Sequence, residues 1–249
     1  MKILAADTST SINTVAVCDD DRVLVEIIVE CGRSHSERLI DTVDWVLAEA
    51  GLKIEDMDAL AVSVGPGSFT GVRVGVATWK GLALGARLPL APVPTLDAMT
   101  RLGAFREGLL CPLLDARMRE VFGAVYRFTN GRREKLTADR VCPVDLLLDD
   151  IDTVCQQFVS VRQTVTTTNC GDAIFLGNGA ELYRERILER RPGAAFAPAI
   201  CSVPRASAVA AEARALIEQG VCTDAALVSP VYLRKSQAEM NRARREAAS

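Results

Sequence analysis

Apolar and polar positions alternate along this chain in short blocks, and the blocks set its elements. Lys2 to Ala6 is a short apolar run, ended by the polar loop Asp7-Thr8-Ser9-Thr10. Thr14 to Cys18 and Arg22 to Val29 follow, separated by the turn Asp19-Asp20-Asp21. Runs of this length between turn formers predict three strands. The period then changes. Leu39, Ile40, Val43, Val46, Leu47 and Ala50 recur at helical spacing and predict one apolar helix face. Ser34 and Glu37 have capping-box spacing at its start, and Gly51 is placed to end it.

Ala59 to Val64 is an apolar run interrupted only by Ser63, which predicts a buried strand. Gly65-Pro66-Gly67 breaks it, and Ser68 is placed to cap the helix that follows. From Phe69 to Arg87 the only charges are Arg73, Lys80 and Arg87, so this helix must be buried on most sides. It carries Gly71, Gly75, Gly81 and Gly85, each costing about 1 kcal/mol relative to Ala in a helix interior. Gly71, Gly75, Thr78 and Gly85 share one side, which predicts a groove where another backbone comes close. Pro89, Pro92 and Pro94 mark an extended segment, Thr95 is placed to cap a short helix to Leu102, and residues 103–108 are the best domain boundary.

The blocks then repeat. Leu109 to Leu114 predicts a strand ending at Asp115, as the first strand ends at Asp7. Val121 to Phe128 is the next strand, Asn130-Gly131 a turn, and Arg133 to Thr137 a third strand. Ala173 to Leu176, Gly177-Asn178-Gly179 and Ala180 to Glu189 repeat the strand, glycine turn and helix of Val62 to Ala86. Asp152 to Cys170 departs from the repeat, and its Val and Thr content suggests a strand. Ser202 to Gln219 is Ala-rich and helical in pattern. The expected division is 1–103, 104–233 with a last helix able to pack back on the first half, and a polar, basic tail over 234–249.

Composition narrows the function. Half of the 249 residues are apolar and the net charge is −3, which fits a globular chain and argues against a strong autonomous nucleic-acid binder. The eight cysteines lie at least thirteen positions apart, so no C-x-x-C exists. No targeting segment and no run long enough to span a bilayer is seen, so a cytoplasmic chain with reduced thiols is expected. His35 is the only histidine, which removes any two-His metal site. The glycine turn fails both phosphate-loop patterns: Val72 and Arg73, not Lys and Ser/Thr, follow Gly71, and Gly71 comes one residue late for G-x-G-x-x-G. Asp7, Thr8, Ser9 and Asp115 have the chemistry to hold phosphate and a hydrated metal, and equally that of turn formers. Gly177 and Gly179 either face a nucleoside or form a tight strand-to-helix turn.

GPGSFTGVRVG, with MKILAADTST at the start, DARMREVF at Asp115 to Phe122 and PVYLR at Pro230 to Arg234, resembles the TsaB (YeaZ) family. The resemblance implies a duplicated α/β fold of the actin, Hsp70 and sugar-kinase type (RNase H-like), with two βββαβα subdomains. It also implies a non-catalytic partner of the catalytic subunit TsaD. With the ATPase TsaE, that complex transfers a threonylcarbamoyl group to the tRNA adenosine next to the anticodon. No cofactor is then expected on this chain alone, and ATP and metal belong to the partner subunits. A homodimer is a second expected arrangement, and no membrane association is implied. The catalytic relative carries two His four apart on a helix. Here Leu39 stands four after His35, so neither that metal site nor a metallopeptidase is expected. An ATP-dependent kinase of the same fold, acting alone through Asp7 and Asp115, stays open as the alternative.

The expected partner surface is helical. Trp45 falls about 160° from the centre of its helix's apolar stripe, on the outer face that also carries Asp41. An exposed aromatic there calls for a covering element. Gly71, Gly75, Thr78 and Gly85 complete the expected interface. The competing expectation is that the C-terminal segment folds back and covers these features within one chain.

Overall fold

The computed structural model describes residues 1–30, 35–103, 107–161, 173–221 and 224–234, with side chains omitted at 35–37, 103 and 157–161. In the first half, β1 (Lys2–Asp7), β2 (Ile12–Asp19) and β3 (Arg22–Glu30) form an antiparallel meander. Then come α1 (His35–Glu49), β4 (Ala59–Gly65), α2 (Phe69–Ala86), β5 (Leu90–Pro94) and α3 (Thr95–Thr100). The sheet order is β3-β2-β1-β4-β5, with β4 parallel to both β1 and β5.

The second half begins with β6 (Gly108–Asp115), β7 (Val121–Gly123), β8 (Tyr126–Thr129), β9 (Arg132–Lys135) and β10 (Arg140–Cys142). It continues through α4 (Val144–Val161), β11 (Ile174–Leu176), α5 (Asn178–Leu182), α6 (Arg184–Arg190), β12 (Ala195–Phe196) and α7 (Ala206–Glu218). Its sheet runs β10-β7-β6-β11-β12, again two antiparallel pairings followed by two parallel ones. This is the duplicated α/β arrangement that the repeat predicts.

The central strands β1, β2 and β4 are apolar along most of their length because both faces of their sheet are covered. Successive side chains point to opposite faces. Leu4, Ala6, Val15, Val17, Leu60 and Val62 meet α1 and α2 through Leu39, Val43, Val46, Val72, Val76 and Trp79. Ile3, Ala5, Ala16, Ala61, Ala91 and Val93 meet Ala206, Val209, Ala210 and Ala213 of α7. Alanine on both sides lets this helix lie close, so α7, the last α-helix among the described residues, belongs to the core of the first sheet. Glu26 of β3 fixes its start, accepting from the Ser207 backbone N–H at 3.0 Å and pairing with Arg205.

The helix ends at Gly51 and Ser68 follow the expected caps, whereas Pro94 and not Thr95 is the N-cap of α3. Gly51 has φ +65° and Leu52 N–H bonds back to Leu47, while Ser68 Oγ accepts the Gly71 N–H at 3.2 Å. Four other expectations are corrected. Ile40 lies outside the buried stripe and is exposed, because it sits at the edge of the arc that Leu39, Val43 and Val46 define. Val121 to Phe128 is broken into β7 and β8, which pair with different parts of β6. The Ser202–Gln219 helix starts only at Ala206. Asp152 to Val161 continues α4, whose Leu147, Leu148, Ile151 and Val154 bury one face at helical spacing. Cysteines 18, 111 and 142 are buried as small apolar groups, and burial pushes the Cys18 thiol up to about 12.

Candidate functional site

Asp7 closes β1 and is 1% exposed. One carboxylate oxygen accepts the Ser9 N–H at 2.8 Å and the Ser9 hydroxyl at 2.7 Å. The other accepts the hydroxyl of Ser63 on β4. Burial raises the Asp7 pKa, opposed by these hydrogen bonds. Thr8 is also buried, and its hydroxyl donates to the Gly71 carbonyl at 2.8 Å. The Ser9 carbonyl accepts the Ser68 N–H at 2.6 Å. The loop after β1 is thus wedged against the first turns of α2.

The glycines of α2 explain how. A Cβ at Gly71 would strike the Thr8 carbonyl, and one at Gly75 would strike the Thr8 hydroxyl. At Gly67 it would meet the Ser9 carbonyl oxygen at 2.5 Å. The groove for a partner helix along Gly71, Gly75, Thr78 and Gly85 is therefore corrected. Gly71 and Gly75 are filled by the chain's own Thr8, because two elements far apart in sequence converge there. Gly85 alone of the four faces open space, and Thr78 is half-buried.

A phosphate with a hydrated metal does not fit Asp7, Thr8 and Ser9 in this arrangement. Their side-chain oxygens are buried and already paired, and the backbone that could close on phosphate is occupied by α2. Asp115 ends β6, as the repeat predicts. It accepts the Arg117 N–H at 2.8 Å, and its own N–H donates to Asn178 Oδ1 at 3.0 Å. Gly177, at φ +98°, and Gly179 press on the backbone of Leu113 and Leu114, which is the tight strand-to-helix turn. Among the described residues, no three His, Cys, Asp or Glu side chains gather as they would around a metal. His35 is the first residue of α1; its side chain and Ser34 lie outside the described residues.

On the outer face of α1, Trp45 is 52% exposed, with Asp41, Asp44 and Ala48 exposed beside it. No helix among the described residues is long and apolar enough to cross a membrane.

Two features escape a reading of local pattern. The segment from Asp224 to Arg234 lies along α2 as a strap. Lys80 Nζ donates to the carbonyls of Ala226 and Val228 at 2.9 and 2.8 Å, and Val231 N–H donates to the Val64 carbonyl at 2.7 Å. Tyr232 stacks on Phe69 at 4.5 Å, and Arg234 reaches the second half, donating to the Ala116 carbonyl at 2.9 Å. The chain covers one side of α2 itself, while Trp45 of α1 stays open. The second feature is Glu212 of α7, which is 2% exposed. It binds Arg133 of β9 through both carboxylate oxygens, at 2.6 and 2.8 Å, and Arg101 at 2.7 Å. A Glu in the middle of an Ala-rich helix was the sequence signal of that junction between the halves.

Residues 29–242 match the family profile described as TsaD, tRNA N6-adenosine threonylcarbamoyltransferase. The tRNA threonylcarbamoyladenosine biosynthesis protein TsaB of Haemophilus influenzae is 31% identical over 239 residues, 94% of each chain. The TsaB proteins of Bacillus subtilis and Escherichia coli are 34% and 43% identical, over 56% and 53% of this chain. Those two matches span 61% and 58% of the relatives' own lengths. The solved structure of YeaZ from Pseudomonas aeruginosa superposes with a TM-score of 0.73 at 27% identity, over 93% of this chain and 99% of that one. With a full-length relative at this identity and a matching YeaZ structure, the chain belongs to the TsaB (YeaZ) family.

Proposed function

We propose that this chain is a non-catalytic partner and activator of a TsaD subunit in the cytoplasmic synthesis of threonylcarbamoyladenosine on tRNA. The observation that carries this reading is the contrast between its two candidate surfaces. The loop that could bind phosphate is closed by the chain's own α2, while α1 presents an uncovered Trp45. An aromatic side chain on an exposed helix face suits a protein partner, and such anchors each contribute about 2 kcal/mol or more. In this reading TsaE supplies ATPase activity within the complex, the acyl-adenylate donor is made elsewhere, and ATP and metal are held by the partner subunits. A homodimer through α1 would compete for the same face. The alternative, a kinase acting alone, needs Asp7 free for metal, and the pairing of Asp7 with Ser9 and Ser63 weighs against it.

The test is co-purification with TsaD from the same source, using wild type and Trp45→Ala. Affinity should fall about 30-fold, the equivalent of 2 kcal/mol, while the isolated variant melts as wild type does. Unchanged affinity would remove α1 from the interface. Robust tRNA modification by the isolated chain would overturn the non-catalytic reading.

A further inference from the structure

The turn joining β6 to β7 is built from unsuitable residues. Arg117, Met118 and Arg119 have φ of 60°, 55° and 63°, the left-handed region that L-residues disfavour. Glycine would relieve this strain. Hydrogen bonds hold the turn nonetheless: Ala116 N–H to the Glu120 carbonyl and Glu120 N–H to the Arg117 carbonyl, both at 3.0 Å. The result is a displayed Arg-Met-Arg tip, with the Arg117 side chain 85% exposed.

The strap arrives beside this tip. Arg234 binds the Ala116 carbonyl and pairs with Glu120. Two residues earlier, Tyr232 stacks on Phe69, and the Arg73 guanidinium lies 4.4 Å from the Phe69 ring centre. Arg73 Nε also donates to the Tyr232 hydroxyl at 3.4 Å. The strap thus brings Arg73 and the two stacked rings alongside the exposed Arg117–Arg119 tip, where Arg117 pairs with Asp115 at 3.3 Å and the mostly buried Arg234 with Glu120. In a chain of net charge −3 this is a local cationic excess. Past Arg234 the sequence adds Lys235, Arg242, Arg244 and Arg245 against Glu239 and Glu246.

Guanidinium groups interleaved with aromatic rings match phosphodiester oxygens and unstacked bases, the chemistry of exposed RNA loops. We propose that the ridge formed by Arg73, Tyr232, Arg117 and Arg119, held together by Arg234, is an RNA-binding surface that contacts the backbone of the tRNA substrate. This rests on the proposed role in tRNA modification and assigns part of the tRNA contact to this chain. An acidic protein segment would use the arginines but not the rings.

The test compares wild type with the Arg117→Gln/Arg119→Gln double variant, each assembled with TsaD. Binding of unmodified tRNA is measured by fluorescence anisotropy across a salt series, with the KM for tRNA measured in parallel. Loss of two phosphate contacts should weaken binding about tenfold and lower the slope of log affinity against log salt by roughly 1.4–1.8. KM should rise, and melting of the variant and its assembly with TsaD should match wild type. Wild-type affinity and slope in the double variant would overturn the ridge. Unchanged tRNA binding with weakened TsaD assembly would overturn it in favour of a protein contact. Failure of the wild-type complex to modify tRNA refutes the proposed role instead, and the binding measurement still decides the ridge.

Discussion

Four glycines on one helix should respond to alanine with opposite signs. At Gly81 and Gly85 an added Cβ meets nothing within 4 Å. There the change removes only the helix penalty of glycine, a gain of about 1 kcal/mol. At Gly71 the new methyl would strike the Thr8 carbonyl, a backbone atom that cannot rotate away, with the Thr8 carbonyl carbon 3.2 Å off. Overpacking costs about 1–3 kcal/mol. Moving Thr8 also strains its 2.8 Å bond to the Gly71 carbonyl, and an unmade buried hydrogen bond costs about 1–3 kcal/mol. After the propensity gain, Gly71→Ala should lose about 3 kcal/mol. For a chain of this size each kcal/mol moves Tm by about 2–4 °C. Thermal melting should show Gly81→Ala about 2–4 °C above wild type and Gly71→Ala about 6–12 °C below. A Gly71→Ala protein that melts at or above wild type would refute the contact between Thr8 and α2, and with it the argument that this loop is closed to phosphate.

Three further outcomes follow from buried carboxylates. Burial holds the Asp7 pKa above its ordinary 3.8, so the folded chain binds that proton more tightly than the unfolded one. The stability this group supplies is present below 3.8 and is lost as pH rises through the folded value. Asp7→Asn, which can accept from Ser9 and donate to Ser63, should therefore gain on wild type as pH rises, in urea unfolding across a pH series. Asp7→Ala leaves three donors unpaired and should be less stable than Asp7→Asn by about 1–3 kcal/mol at every pH; equal stability of the two would show that these hydrogen bonds do not matter. Glu212→Ala takes the carboxylate from Arg133 and Arg101 at the junction of the halves and should cost about 3 kcal/mol, the low end for a broken buried pair because Arg133 keeps its bonds to the Asp97 carbonyl and Thr100 hydroxyl and both arginines keep some water contact. A Glu212→Ala protein with wild-type Tm would mean that other contacts carry the junction.

Local chemistry was enough to read much of this protein from its sequence. The apolar runs from Lys2 to Ala6 and Ala59 to Val64 announce strands covered on both faces. Gly51 and Ser68 mark helix ends through bonds to neighbours three to five residues away, and the recurrence of strand, acidic residue, strand and glycine turn shows the duplication. The outward angle of Trp45 follows from helix geometry alone. What occupies a face was decided only by tertiary structure. Gly71 and Gly75 leave a groove on α2, and Thr8, 63 residues from Gly71, fills it. The strap lands on α2 through Tyr232, 159 residues from Arg73. Thr8 and Tyr232 carry no local signal of these contacts, because helix and strand periods constrain only residues within a few positions. A small residue in a sequence declares that something comes close; the chain's path through space decides whether that neighbour is itself or a partner.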